Sequence, residues 1–107
     1  MSTRRRASPA HWPTGSRAGF AIAICAQIHR AATSVVLNIA EGRGRGSDLD
    51  FARCLAIARG SNTELIAQLT VAGDCGLLQR EDVAALVAEV VRVGRMISGL
   101  MRTLRGG

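Results

Sequence analysis

Residues Gln27–Leu65 read QIHRAATSVVLNIAEGRGRGSDLDFARCLAIARGSNTEL. Two alanine-rich apolar patterns flank a glycine–arginine link, Gly42-Arg43-Gly44-Arg45-Gly46. On an ideal helical wheel Ile24, Ile28, Ala31, Ala32, Val35 and Ile39 share one face of the first pattern. In the second, Phe51, Leu55, Ala58, Asn62, Leu65, Leu69 and Ala72 recur at alternating spacings of four and three, a heptad seam. Two such seams joined by a short link predict an antiparallel helical hairpin. Polar residues interrupt both apolar runs: Ser34, Asn38 and Glu41 before the link, Ser61, Glu64 and Gln68 after it.

Working outward, the first helix is expected from about Ala18 to Glu41, with Gly42 as its C-cap. Ser47 can cap the second helix, and Asp48 and Asp50 suit its positive end. That helix is expected to reach about Cys75 and to stop at Gly76. Gly60 and Gly73 lie inside it, each costing about 1 kcal/mol of helix stability relative to alanine. Close helix approach at both, or fraying near Gly73, would account for them. A last helix begins near Gln79–Asp82 and runs to about Leu104. Its seam reads Val83, Leu86, Val90, Val93, Ile97, Leu100 and Leu104, with Arg92, Arg95, Arg102 and Arg105 on the opposite arc. The fold expected is all-α, an antiparallel up-down bundle of three long helices over residues 18–107. Residues 1–17, with Pro9, Pro13 and the Arg4-Arg5-Arg6 triplet, read as an irregular basic arm. His11 and Trp12 in that arm have no evident partners.

The length of 107 residues allows one domain. Hydrophobic residues make up 48% and aromatics only 3%, so the core is aliphatic and suits closely packed helices better than a sandwich of sheets. Net charge is +6, and all fourteen basic residues are arginine. A coding bias towards arginine explains that as well as contact with phosphate does, although the guanidinium fork grips phosphate bidentately. The positive balance favours an anionic partner, with nucleic acid the leading class. Cys25, Cys54 and Cys75 form no CxxC pair, and their odd number argues against a disulfide framework. Free thiols buried in a reducing cytoplasm are expected. The arginine triplet followed by Ala18–Ala26 has the outline of a signal peptide, but the apolar run is short and lacks a clean cleavage site. No uninterrupted apolar run reaches the ~18 residues of a membrane span. The expected location is the cytoplasm, without a membrane partner.

The GRGRG link is not a phosphate-binding loop, because a helix precedes it and no Gly-Lys-Ser/Thr follows. It is a flexible turn, or a presentation of Arg43 and Arg45 to an anion. Arg30, Asn38, Glu41, Ser61 and Glu64 have the makings of a polar site between two helices. No nucleophile–base pair or metal-ligand set completes it, and His29 has no partner ligand at i+4. A hydrogen-bonded network of Arg30, Ser34, Asn38, Glu41, Ser61 and Glu64 that fixes helix register is the simpler reading. In it Arg30 or Arg59 neutralises Glu41 or Glu64. No cofactor, metal or enzymatic activity is expected. Arg43, Arg45, Arg92, Arg95, Arg102 and Arg105 are the candidate phosphate contacts. Without an aromatic platform, base stacking and strong sequence preference are not expected. A protein–protein scaffold is the alternative.

Three motifs carry a family resemblance. They are Gln27–Val35 followed by Asn38-Ile39-Ala40-Glu41-Gly42, then Phe51…Leu55–Ser61…Glu64-Leu65, then Gly76-Leu77-Leu78. Together they resemble the 23S rRNA-intervening-sequence family of four-helix-bundle proteins over about residues 27–104. The resemblance implies a homo-oligomer, typically a pentameric ring. It also implies kinship with the accessory variability proteins of retroelements, which bind RNA or DNA and partner a reverse transcriptase. The family's usual first helix has no counterpart in the residues before Gln27, so that helix is expected to be degenerate or missing.

Overall fold

A computed structural model describes residues 14–106 of the chain. Three helices follow one another: α1 (Thr14–Arg43), α2 (Asp48–Asp74) and α3 (Arg80–Leu104). No strand occurs among the described residues. The expected all-α architecture is what forms, and α2 and α3 lie within a residue or two of their expected bounds. Helix α1 starts four residues before Ala18, in the segment read as irregular arm; Arg4–Arg6, His11 and Trp12 lie outside the described residues.

The termini follow local chemistry. Ser47 caps α2 with an extended backbone, its Oγ accepting from the Asp50 amide at 3.1 Å. At the other end Leu77 N–H donates to Ala72 O at 2.9 Å and Gly76 N–H to Gly73 O at 3.0 Å. Gly76 takes φ +79°, the left-handed conformation that ends a helix this way and that a side chain would strain. Gly42 plays another part than the expected cap. It is buried inside α1, and the helix continues to Arg43.

Helix α2 is the middle of the fold and packs antiparallel against both neighbours. Its expected seam is buried from Leu55 onward, with Leu55 and Ala58 fully buried and Leu65, Leu69 and Ala72 nearly so, and Phe51 is half-buried. One cluster joins Val35 of α1, Leu55 and Ala58 of α2, and Ile97 and Met101 of α3. A second joins Ala31, Leu65 and Leu69, with Ile28, Val87 and Val90 against them. Gly73 lets α3 come close, since a Cβ there would meet Val83 Cγ2 at 2.7 Å; nothing lies within 4 Å of a Cβ at Gly60.

The seam of α3 is rotated from its expected position. Ile97 and Met101 are its buried residues, while Leu86 and Leu100 are exposed. The apolar arc is wider than the face that α2 covers, so part of it borders an apolar groove of about 260 Å³ between α1 and α3. Val35, Val36 and Ile39 form one wall, Val90 and Val93 the other, and Leu65 the floor. Helix α1 is bare as well: Ile22, Val36 and Leu37 are 71%, 64% and 60% exposed. By length and composition alone, its stretch Arg17–Arg43 is apolar enough to cross a membrane, with mean hydropathy 1.5 and 11% of that window buried. Counting uninterrupted apolar residues missed this, because scattered small and polar residues lower the mean only slightly. The three helices thus fill a thin body, 53 × 24 × 15 Å, with one apolar side open.

Candidate nucleic-acid interface

The expected polar network forms only in its middle. Ser34 Oγ and Ser61 Oγ meet at 2.8 Å across α1 and α2, and Asn38 Nδ2 donates to Ser34 O at 2.9 Å and to Ser34 Oγ at 3.2 Å. All three are half-buried. Arg30 and Glu64 instead lie exposed, and their side chains join no hydrogen bond or ion pair among the described residues. Glu41 is also exposed and pairs with Arg45 of the link at 3.1 Å, not across the bundle. The difference is physical: a charged group left at the rim keeps its hydration, whereas burial between helices removes it. Among the described residues the buried polar one is Asn62, 4% exposed, whose Nδ2 donates to Val90 O at 2.8 Å and so fixes α2 against α3. Gln68 Oε1 is buried without a partner among the described residues. Of the cysteines only Cys54 is buried; Cys25 is exposed on α1, and Cys75 is half-buried where it caps the end of α2.

A double-mutant cycle tests the reduced network. Ser34→Ala and Ser61→Ala are expected to couple by about 0.5–1.5 kcal/mol in unfolding free energy. Glu64→Ala is expected to change stability by less than about 0.5 kcal/mol, as for an exposed unpaired side chain. Coupling near zero would mean that the serine contact contributes nothing to register.

The six arginines singled out from sequence do not stand alike. Arg45 is neutralised by Glu41, and Arg92 pairs with Glu89 one turn before it. Arg43 and Arg105 are exposed, with no ion pair among the described residues. Arg95 and Arg102 line one cleft of about 550 Å³ between α2 and α3, and Arg59 of α2 lines it from across. Among the described residues none of these three has an ion pair, and no acidic residue lines the cleft. Reading Arg59 as a counter-charge for a glutamate obscured this grouping. The useful signal was its position beside the α2 seam, one residue after the buried Ala58.

Around this cleft the basic surface has an order. Helix α3 carries arginines at 92, 95 and 102, and Arg105 caps its end, a row of about 20 Å at 1.5 Å per residue. No acidic residue follows Glu89, so the C-terminal half of the row is uncompensated along its own helix. Such a surface can hold a polyanion through charge-assisted hydrogen bonds.

The comparisons with known proteins give one match. The family model described as 23S rRNA-intervening sequence protein matches residues 19–99, eight residues further towards the N-terminus than the motifs quoted above. No curated protein and no solved structure matches the chain.

Proposed function

The chain belongs to the 23S rRNA-intervening sequence protein family, and from that premise we propose that it is a non-enzymatic accessory protein that binds the phosphate backbone of RNA or DNA. The observation that carries the proposal is the grouping of Arg59, Arg95 and Arg102 in one cleft without a counter-charge. The net charge of +6 and the mention of 23S rRNA in the family's name support it. Backbone binding of this kind releases counterions and weakens steeply with salt. A fluorescence titration with single-stranded RNA is expected to give a slope of log K on log salt of about −2 to −3.5, from about three to five phosphate contacts at ~0.7 each. Absence of binding at low salt, or binding indifferent to salt, would sink the proposal.

A second reading, contact with protein, is favoured by the open groove between α1 and α3 and by the bare face of α1. A homo-oligomer, the pentamer of the family resemblance among its forms, covers that surface. A scaffold role, or a reverse-transcriptase partner, covers it equally. Mass in solution separates them: an assembly of the purified chain supports the first, and a stable monomer excludes it.

A further inference from the structure

The register of α2 against α3 places three arginines along one cleft. Asn62 bonds Val90 O, and a Cβ at Gly94 would lie 2.9 Å from Asn62 Nδ2. Further along, Leu55 and Ala58 cluster with Ile97 and Met101. Continuing this antiparallel register sets Arg59 level with the turn Arg95–Ile97, and Ser98 lines the same cleft. Arg95, Ser98 and Arg102 are spaced by three and four residues, so they share one face of α3. Ser98 therefore sits between two arginines on its own helix, with a third opposite.

The surroundings leave these groups available. Thr63 Oγ1 donates to Arg59 O at 3.1 Å, but Ser98 Oγ makes no hydrogen bond among the described residues. Gly99 adds no side chain beside Arg102, whose Nη2 would be 3.7 Å from a Cβ there. Elsewhere Arg45, Arg53 and Arg92 each have a carboxylate within one helical turn. Three guanidinium groups in one cleft with no acid repel one another, and a bound anion removes that repulsion. A tetrahedral, multiply charged oxyanion can accept from three forks and one hydroxyl at once, whereas a carboxylate offers only two oxygens.

We propose that this cleft is a discrete pocket for one phosphate group, held by Arg59, Arg95 and Arg102 with the Ser98 hydroxyl as a fourth donor. The ligand's identity as part of a nucleic acid rests on the reading above. A terminal phosphate of the strand offers these donors three free oxygens and up to two charges, whereas an internal phosphodiester offers two free oxygens and one charge and engages fewer of them.

The test uses the full chain and two probes. Thermal unfolding is followed in inorganic phosphate and in chloride at equal ionic strength. Single-stranded RNA of one sequence is titrated with a 5′-phosphate or a 5′-hydroxyl. Arg59→Gln and Ser98→Ala are compared with Arg105→Gln, which removes the same charge outside the cleft. Phosphate is expected to raise the Tm of the native chain and of Arg105→Gln, but not of Arg59→Gln. Arg59→Gln is expected to weaken RNA binding about tenfold or more, against about two- to threefold for Arg105→Gln. Ser98→Ala is expected to fall between them. A preference for the 5′-phosphorylated strand assigns the pocket to a terminal phosphate, and equal affinity to the backbone. If RNA binds but Arg59→Gln and Arg105→Gln lose equally, and phosphate leaves Tm unchanged, the pocket is refuted while backbone binding stands. If phosphate raises Tm through Arg59 but no RNA binds at low salt, the pocket stands and the nucleic-acid reading falls.

Discussion

Leu55→Ala is expected to lower the unfolding free energy by about 3 kcal/mol, within the range of about 2–5 for a buried leucine. Leu55 is the largest fully buried side chain of the described residues, at 0% exposure. It lies where the three helices meet, touching the cluster of Val35 from α1 and Ile97 and Met101 from α3. Few other side chains are buried in so thin a body, so little else compensates. Met101 is flexible enough to fill part of the cavity, which holds the cost near the lower half of the range. A domain of this length has a total stability of about 5–15 kcal/mol, so the loss is a large fraction of it. At about 4–8 °C per kcal/mol, Tm falls by about 12–24 °C. Ile57→Ala, two residues away and 56% exposed, serves as the control and should move Tm little. Urea unfolding of both variants decides the matter: equal losses would mean that α1, α2 and α3 do not share a core at Leu55.

Why Leu55 was readable and other positions were not follows from where each helix stands. Helix α2 has neighbours on two sides, so its heptad seam and its buried residues coincide almost position for position. The one addition, Cys54, is buried by the close passage of Gly42. Helix α3 has one neighbour, and an apolar arc alone does not say which part of it meets that neighbour. The arc from Val83 to Leu104 was found, but Leu86 and Leu100 fell on the exposed side of the helix and Met101 on the core. The same limit applied to polar residues. Ser34 and Ser61 lie on facing sides of a hairpin whose register the short link nearly fixes, and they do bond. Arg30 and Glu64 needed opposite partners across an interface, and wheel angles do not reveal how far a flank lies from that interface. Asn62 was legible as a seam residue, but not as the donor to Val90 O, because its partner is a backbone atom on another helix. The cleft arginines repeat that lesson. Arg95 and Arg102 share a helix and were grouped, while Arg59 joins them only through the α2–α3 register.

Gly42 is the other position where a small change should have a large effect, in a direction that helix propensity alone gets wrong. Propensity predicts that Gly42→Ala, inside α1, stabilises the chain by about 1 kcal/mol. The packing says the reverse. A Cβ at position 42 would stand 2.7 Å from Phe51 Cδ1, 2.8 Å from Cys54 Cβ and 3.4 Å from Phe51 Cα. The Phe51 ring can turn away, but Cys54 Cβ is fixed to the backbone of α2. The two helices must therefore separate at the end of the hairpin, where the tight link to Ser47 leaves little slack. Overpacking of this kind costs about 1–3 kcal/mol, enough to outweigh the propensity gain for alanine and more for a larger residue. Gly42→Ala is thus expected to be destabilising, and Gly42→Val more so. Cys54→Gly removes the opposing Cβ, so in its background Gly42→Ala should cost clearly less, despite the extra glycine in α2. The full cycle, measured by urea unfolding, separates the two accounts. A stabilising Gly42→Ala, indifferent to residue 54, would place the glycine in α1 for reasons other than contact with α2. A cost relieved by Cys54→Gly would place the hairpin's closest approach at this pair, fixing the orientation from which Arg43 leaves the helix.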